Sequence, residues 1–287
     1  MTPPPLETPP PEEPRRREPI SAVVVTCDDQ RRLGECLAAL AGFDELLVVD
    51  LGSRDESVAI ARRAGARLLT HPHVDAVEEV RPWAVAQAAH RWVISPDPDE
   101  ILAPGAEAEI RRLIASHEDL GRLGLPWPFY LKGTAVEGTL WGRRQHKGIV
   151  YRRDRVEMRT INLRGVVDLP RWRRIDLPYL EEFSLRHHWS DSYRDLLAKH
   201  LRYARKEGEA RWRLGQRFSW RFLAREVRRS ARLNLRTHRP PRWRWRWLAL
   251  SLFHALFIAL SLLSLRAYGR GQPGPDDSGT QDSGRGA

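Results

Sequence analysis

Sulfur is scarce in this chain: 287 residues hold two cysteines and two methionines. Cys27 and Cys36 form no CxxC pair, which argues against a disulfide framework or a zinc site. Two reduced, packed thiols in a cytosolic compartment are expected instead. The opening MTPPPLETPPPEEPRRREP lacks the apolar run of a secretory signal. It reads as a proline-rich disordered leader over residues 1–19. The closing GRGQPGPDDSGTQDSGRGA, residues 269–287, reads as a second disordered tail. No glycine-rich phosphate loop follows the first strand-like run, which argues against a nucleotidyltransferase built on such a loop. Acidic residues are also in short supply. The 37 Asp and Glu face 48 Lys and Arg, a net charge of +11, which predicts attraction to an anionic surface or polyanion. The excess is concentrated in the arginines of residues 202–246.

What is present is an alternation. Ile20–Thr26 (ISAVVVT) has the β-branched pattern of a buried parallel strand. Leu33, Cys36, Leu37 and Leu40 recur at helical spacing and predict a helix stopped near Gly42. Residues 46–50 (LLVVD) form a second strand. Ser53 and Glu56 have capping-box spacing, so a helix is expected from Arg54 to about Ala64. Arg67–Thr70 is a third strand, residues 81–90 a helix and residues 91–95 a fourth strand. This order predicts an α/β fold with a mostly parallel sheet and flanking helices. Ligands of such sheets bind beyond the carboxyl ends of the strands. Three acidic groups fall there: Asp28 with Asp29, then Asp50, then Asp97, Asp99 and Glu100 in ISPDPDEIL. Two carboxylates in a D-x-D turn can reach one hard cation, Mg²⁺ or Mn²⁺. The competing reading is a solvated loop in which one aspartate caps the next helix.

Further on, residues 105–116 predict a helix with Ala106, Ile110, Leu113 and Ile114 inward. Residues 123–176 predict a β-rich lobe. A capping box at Ser192 and Asp195 opens a helix expected to turn Tyr193, Leu196, Leu197, Leu201 and Ala204 to one face. A basic helix is expected over residues 219–235. The stretch RWRWRWLALSLFHALFIALSLLSLRAYGR follows. Its residues 247–265 carry no formal charge if His254 is neutral, about the length of a membrane span. Trp243, Trp245 and Trp247 alternate with Arg242, Arg244 and Arg246, a belt suited to lipid headgroups. Ser251, His254, Ser261 and Ser264 share one helical stripe, able to face protein while Leu and Phe face lipid. A membrane-associated helix over 241–268 is expected, spanning or interfacial, with a buried soluble helix as the competing reading.

ISAVVVTCDDQRRLGECLAAL, ELLVVDLGSRDESVAIARRAGARLL and VRPWAVAQAAHRWVISPDPDEIL together resemble glycosyltransferase family 2 of the GT-A fold. Within it they are similar to the small bacterial enzymes that modify lipopolysaccharide core or other lipid-linked glycans. Asp50, Gly52, Ser53, Asp55, Arg81, Asp97, Asp99 and Glu100 fall on matching positions. LRHHWSDSYRDLLAKHLRYARKEGEA adds His187, Ser192, Lys199 and Tyr203. The resemblance implies a GT-A domain over 20–185, with a nucleotide-binding half (20–116) and a β-rich acceptor half (117–185), then a basic helical extension (186–240). It implies that Asp29 and Asp50 hold the base and ribose of a nucleotide-sugar donor and that Asp55 supports that loop. Asp97 and Asp99 would hold the donor diphosphate through Mg²⁺ or Mn²⁺, with Arg81 near the phosphates. A metal and an arginine together neutralise a departing nucleoside diphosphate. His187 is a candidate phosphate contact, against a packed or capping histidine.

An inverting transfer needs a general base. Asp168 in GVVDLP is the candidate, with Glu100 and Glu137 as rivals. The implied activity is a hexosyltransferase-like transfer to a lipid-linked or envelope glycan acceptor on the cytoplasmic side of an anionic membrane surface. There are departures. Asp28-Asp29 stands for Asn-Glu, Pro98 for Ala and Pro82 for Asn, and an expected HE pair is missing. They leave an alternative, a catalytically degenerate GT-A membrane scaffold. Nucleic acid is not an expected partner: no known binding module appears, and the aromatics flank an apolar run.

Overall fold

A computed structural model describes residues 17–74, 77–136, 144–158, 166–237 and 245–272. The leader up to residue 16, Glu137, Arg242, Trp243, Arg244 and the tail from residue 273 lie outside the described residues. The elements are, in chain order, β1 (Ile20–Thr26), α1 (Leu33–Ala39), β2 (Glu45–Asp50), α2 (Ser57–Arg63), β3 (Arg67–Thr70), α3 (Val77–Ala86), β4 (Trp92–Ile94), β5 (Glu100–Leu102), α4 (Ala106–Ser116), β6 (Leu120–Pro126), β7 (Phe129–Leu131), β8 (Thr134–Ala135), β9 (His146–Arg152), β10 (Val156–Met158), β11 (Val166–Asp168), β12 (Arg173–Asp176), β13 (Leu185–Ser190), α5 (Tyr193–Arg213), α6 (Trp220–Thr237) and α7 (Trp245–Arg270). They fall into two compact units, Met1–Trp127 with Arg144–His187, and Pro128–Arg143 with His188–Ala287.

The first unit is built on a seven-stranded sheet in the order β12-β6-β9-β4-β1-β2-β3. β1 lies between β2 and β4 and is parallel to both. Its residues are buried on both faces, which is why its sequence reads as a continuous apolar run. Ala22 and Val24 pack with Leu33, Cys36 and Leu37 of α1 and Ile110 of α4. Val23 and Val25 pack with Val80, Ala84 and Val85 of α3. Thr26 sits beside Asp50 in register, so β1 and β2 end at the same edge. This is the mostly parallel sheet with flanking helices that a GT-A fold requires.

Two expectations for this unit are corrected. α2 begins at Ser57 rather than Arg54, because the Ser53 hydroxyl accepts the Asp28 N–H at 3.0 Å instead of capping its own helix. α3 runs over Val77–Ala86 rather than 81–90, with Glu78 and Glu79 in its first turn and Pro82 inside it. Carboxylates suit the positive end of the helix dipole, so the start lies upstream of the proline. The β-rich stretch expected over residues 123–176 holds β6 to β12, of which β6, β9 and β12 join the main sheet.

The second unit holds a β7–β8 hairpin and three helices. Lys132 and Gly133 turn the hairpin with φ of 52° and 70°, the sign a two-residue turn needs at both positions. α5 starts as expected, with Asp195 N donating to Ser192 Oγ at 3.0 Å. Its buried stripe, however, is Leu196, His200, Ala204 and Gly208. Tyr193, Leu197 and Leu201, expected to share the inward face, are 49%, 44% and 39% exposed. The reason is close approach: a side chain at Gly208 would run into the backbone of Ser264 on α7. The polar stripe of α7 faces protein. Ser230 Oγ meets His254 Nδ1 at 2.6 Å, Ser264 Oγ donates to the Arg205 carbonyl at 2.7 Å, and Ser261 is buried. Within α7, Leu248–Arg270 spans 23 residues and is long and apolar enough to cross a membrane by length and composition.

Candidate functional site

The candidate donor, metal and base residues named from the sequence, apart from Glu137, lie in described parts of the first unit, while Ser192, Lys199 and Tyr203 lie on or before α5 in the second. The loops after β1 and β2 are laced together by carboxylates accepting backbone amides. Asp28 sits at φ 56°, a left-handed conformation that aspartate tolerates better than most side chains. Its carboxylate accepts Arg54 N at 2.7 Å. Asp29 Oδ2 accepts Cys27 N at 3.0 Å and Thr26 Oγ1 at 3.1 Å. Asp29 N donates to Ser57 Oγ at 2.9 Å. Asp55 accepts Gln30 N and Ser57 N, both at 2.9 Å. Burial alone would raise the Asp55 carboxyl, but these bonds hold it below the ordinary carboxylate range. Asp50 is buried at the end of β2. It accepts Gly52 N at 3.1 Å and Ser53 N at 3.2 Å. Gly52 turns this loop at φ 87°, a conformation glycine adopts freely.

The acidic group after β4 is held differently, by cations. Arg81 on α3 donates to Asp97 Oδ1 at 2.5 Å and to the Ser95 carbonyl at 3.0 Å. Lys147 on β9 bridges two carboxylates, reaching Asp97 Oδ2 at 2.7 Å and Glu100 Oε1 at 2.6 Å. Glu100 is fully buried. It also accepts Trp127 Nε1 at 2.7 Å and Asp97 N at 2.9 Å. Burial works against the charged form of all four ionisable partners, and mutual attraction overcomes it. Asp97 is held far below the ordinary carboxylate range by Lys147 and Arg81. Glu100 is lowered chiefly by Lys147. Lys147 and Arg81 are correspondingly raised by their carboxylate partners. The network is therefore ionised throughout at neutral pH.

His187 on β13 stands between the last two acids, with Nδ1 3.4 Å from Glu100 Oε1 and Nε2 3.7 Å from Asp99 Oδ2. Its ring lies edge-on to Trp127. The structure thus brings Arg81, Asp97, Asp99, Glu100 and His187 together. Asp29, Asp50 and Asp55 form the neighbouring laced loops at the carboxyl ends of β1 and β2. Asp168, on β11, belongs to a different set: it pairs with Arg122 at 3.1 Å and with Arg174 at 3.7 Å. Lys147 and Trp127 were missed in the sequence. The available signal was a charge imbalance. Three carboxylates around a buried strand end need more than Arg81 to offset them, and Lys147 heads the buried run of β9.

The donor set can be weighed against a divalent cation. Both oxygens of Asp97 already hold cations, so Asp97 suits a positioning task. Among the described residues no group of three or more His, Cys, Asp or Glu could by itself hold a metal. Mg²⁺, however, is commonly held by one or two carboxylates plus substrate phosphates. Asp99, whose side chain is 27% exposed, fits that role.

The family model for glycosyl transferase family 2 matches residues 21–168. A TPR repeat-containing protein of Synechococcus elongatus is 37% identical over 102 residues, 35% of this chain and 25% of that protein. A protein named an uncharacterized glycosyltransferase, of Rickettsia conorii, is 33% identical over 99 residues, 34% of this chain and 35% of its own. The chain thus spans about a quarter to a third of the length of these curated relatives. Among solved structures, glucosyl-3-phosphoglycerate synthase from Mycobacterium tuberculosis, in complex with Mn²⁺, uridine diphosphate and glucosyl-3-phosphoglycerate, is 19% identical with a TM-score of 0.34, covering 40% of this chain and 45% of that one. The matched segment contains β1 to β11 with every acidic group at the sheet edge, and this chain belongs to glycosyl transferase family 2.

Proposed function

We propose that the chain is an inverting glycosyltransferase that moves a hexose from a nucleotide sugar to a lipid-linked or envelope glycan acceptor at the cytoplasmic membrane face. The observation that carries this reading is the division of labour in ISPDPDEIL: both oxygens of Asp97 are clamped, by Arg81 and Lys147, while Asp99, two residues on, is partly exposed beside His187. A divalent cation bound at Asp99 would supply charge neutralisation for the departing diphosphate. Arg81 and Lys147 hold the loop that aims Asp99. The laced loops carrying Asp29, Asp50 and Asp55 shape the neighbouring nucleotide pocket. Glu100, fully buried and accepting three donors, positions this loop. Asp168 stays the candidate base because its side chain is 36% exposed, and a base must reach the acceptor hydroxyl. The lipopolysaccharide-type acceptor rests on the sequence resemblance alone.

Calorimetric titration of UDP, GDP and dTDP, with and without Mn²⁺, tests this in wild type and Asp99→Ala. Metal-dependent binding of one nucleotide, lost in the variant, is the expected result. Folded protein that binds none of them would overturn the donor site and favour the non-catalytic scaffold.

A further inference from the structure

α7 has the length and composition of a membrane span, yet it does not stand alone. It runs parallel to α5. His200 meets the rings of Phe253 and Phe257 at 5.0 and 5.4 Å, the Arg205 carbonyl takes the Ser264 hydroxyl, and Trp212 lies edge-on to Tyr268 at 6.3 Å. α6 runs antiparallel to it. Ser230 meets His254, and Arg266 lies over Trp220 at 4.8 Å. The stretch of α5 alongside α7 carries Arg202, Arg205, Lys206, Glu207, Glu209 and Arg211. If α7 crossed a bilayer in this packing, it would carry those charges into hydrocarbon, where ionisable groups are heavily penalised.

Two outward faces remain. Opposite the polar stripe of α7, Leu248, Leu252, Leu256 and Leu263 are 43%, 63%, 49% and 39% exposed. Their spacing puts them on one side of the helix. On α6, Arg221, Arg225, Arg228, Arg229 and Arg232 are all exposed and share one side, with Glu226 as the only acid of that helix. An apolar stripe to enter the acyl boundary, with a row of arginines for phosphate groups, is the chemistry of an anionic phospholipid surface.

We infer that α5, α6 and α7 form an in-plane anchor, which binds an anionic phospholipid surface through the leucines of α7 and the arginines of α6 without α7 crossing the bilayer. This deepens the membrane placement proposed above and rests on it.

The full chain with Gln272→Cys, just beyond α7, tests the topology with a membrane-impermeant maleimide. Membrane-bound protein labelled at that site in inverted vesicles, and not in intact spheroplasts, is expected. Labelling in spheroplasts alone would mean that α7 crosses, and would overturn the inference. Leu252→Asp with Leu256→Asp is expected to lower partition onto phosphatidylglycerol-containing vesicles at least about tenfold, with the circular dichroism spectrum unchanged. Reversing Arg225 and Arg229 to Glu is expected to do the same at low salt and to have no effect on phosphatidylcholine alone. Unchanged partition in both variants overturns the anchor. So does a double-Asp variant that merely converts a dimer to a monomer, because the leucine face would then be a contact between copies. Wild type that neither sediments with membranes nor binds vesicles removes the membrane placement as well. Nucleotide titration of that same protein tells separately whether the transferase reading survives.

Discussion

The two units handle charge in opposite ways. In the first, carboxylates are drawn inward and each is given a partner: backbone amides for Asp50 and Asp55, Arg81 and Lys147 for Asp97, Lys147 and Trp127 for Glu100. In the second, arginines are turned outward and leucines are left beside them. The difference teaches what each region is built to meet. Buried, paired charge makes a rigid frame around a small ligand. Exposed charge of one sign, with exposed apolar surface, is what the proposed phospholipid surface would meet.

The comparison breaks first at Lys147. Lys147→Met leaves Glu100 charged and buried without its cation, and should cost about 3–5 kcal/mol of unfolding free energy in urea. Its pH dependence sharpens the point. Asp97 and Glu100 are lowered in the folded state. The stability they contribute is therefore present above their unfolded values of about 4 and is lost as pH falls through the folded ones. Lys147 is raised. Its contribution is present below an unfolded value of about 10.4 and is lost as pH rises through the folded one. Wild type should be flat from about pH 5 to 9 and fall on both sides. Lys147→Met should lose much of the acid limb. An unchanged curve would show that the network frames nothing.

Asp99→Ala should leave the melting temperature in place while lowering turnover about a hundredfold, the scale of a lost electrostatic contact to a developing charge. A large loss of stability instead would place Asp99 with the framing residues. In the helical unit, Gly208→Leu should cost about 1–3 kcal/mol by overpacking the α5–α7 contact. Hydrogen exchange should locate the damage there and leave β1 protected. The smallest effect is expected from Ser192→Ala, about 1 kcal/mol for a lost helix cap, read as faster exchange in the first turn of α5.

What could be read in the sequence follows from how local each signal is. β1, β2 and the acids behind them were legible because a doubly buried parallel strand is apolar at every position. The same S/T-x-x-D/E pattern succeeded at Ser192 and failed at Ser53. The hydroxyl of Ser53 has a competing donor, Asp28 N, 25 residues away, and spacing carries no information about that. The face of α5 was misread for a related reason. Tyr193, Leu197 and Leu201 win on hydrophobicity, but the buried stripe is set by where Ala204 and Gly208 let α7 approach. The stripe of Ser264 and His254 on α7 was legible, since polar groups on an otherwise apolar helix seek partners, and both find one on a neighbouring helix. Lys147 was not, because its role appears only when β9 lies beside β4 and β6.

The packing of α7 also has a direction in time. Both of its partners precede it in the chain, and synthesis runs from the amino end at about 5–20 residues per second. When the apolar helix leaves the ribosome, α5 and α6 have already been made, with the cleft at Gly208 waiting for Ser264. The phenylalanines and polar stripe of this apolar helix thus meet partners that have already been synthesised, while its leucine face stays outward after packing.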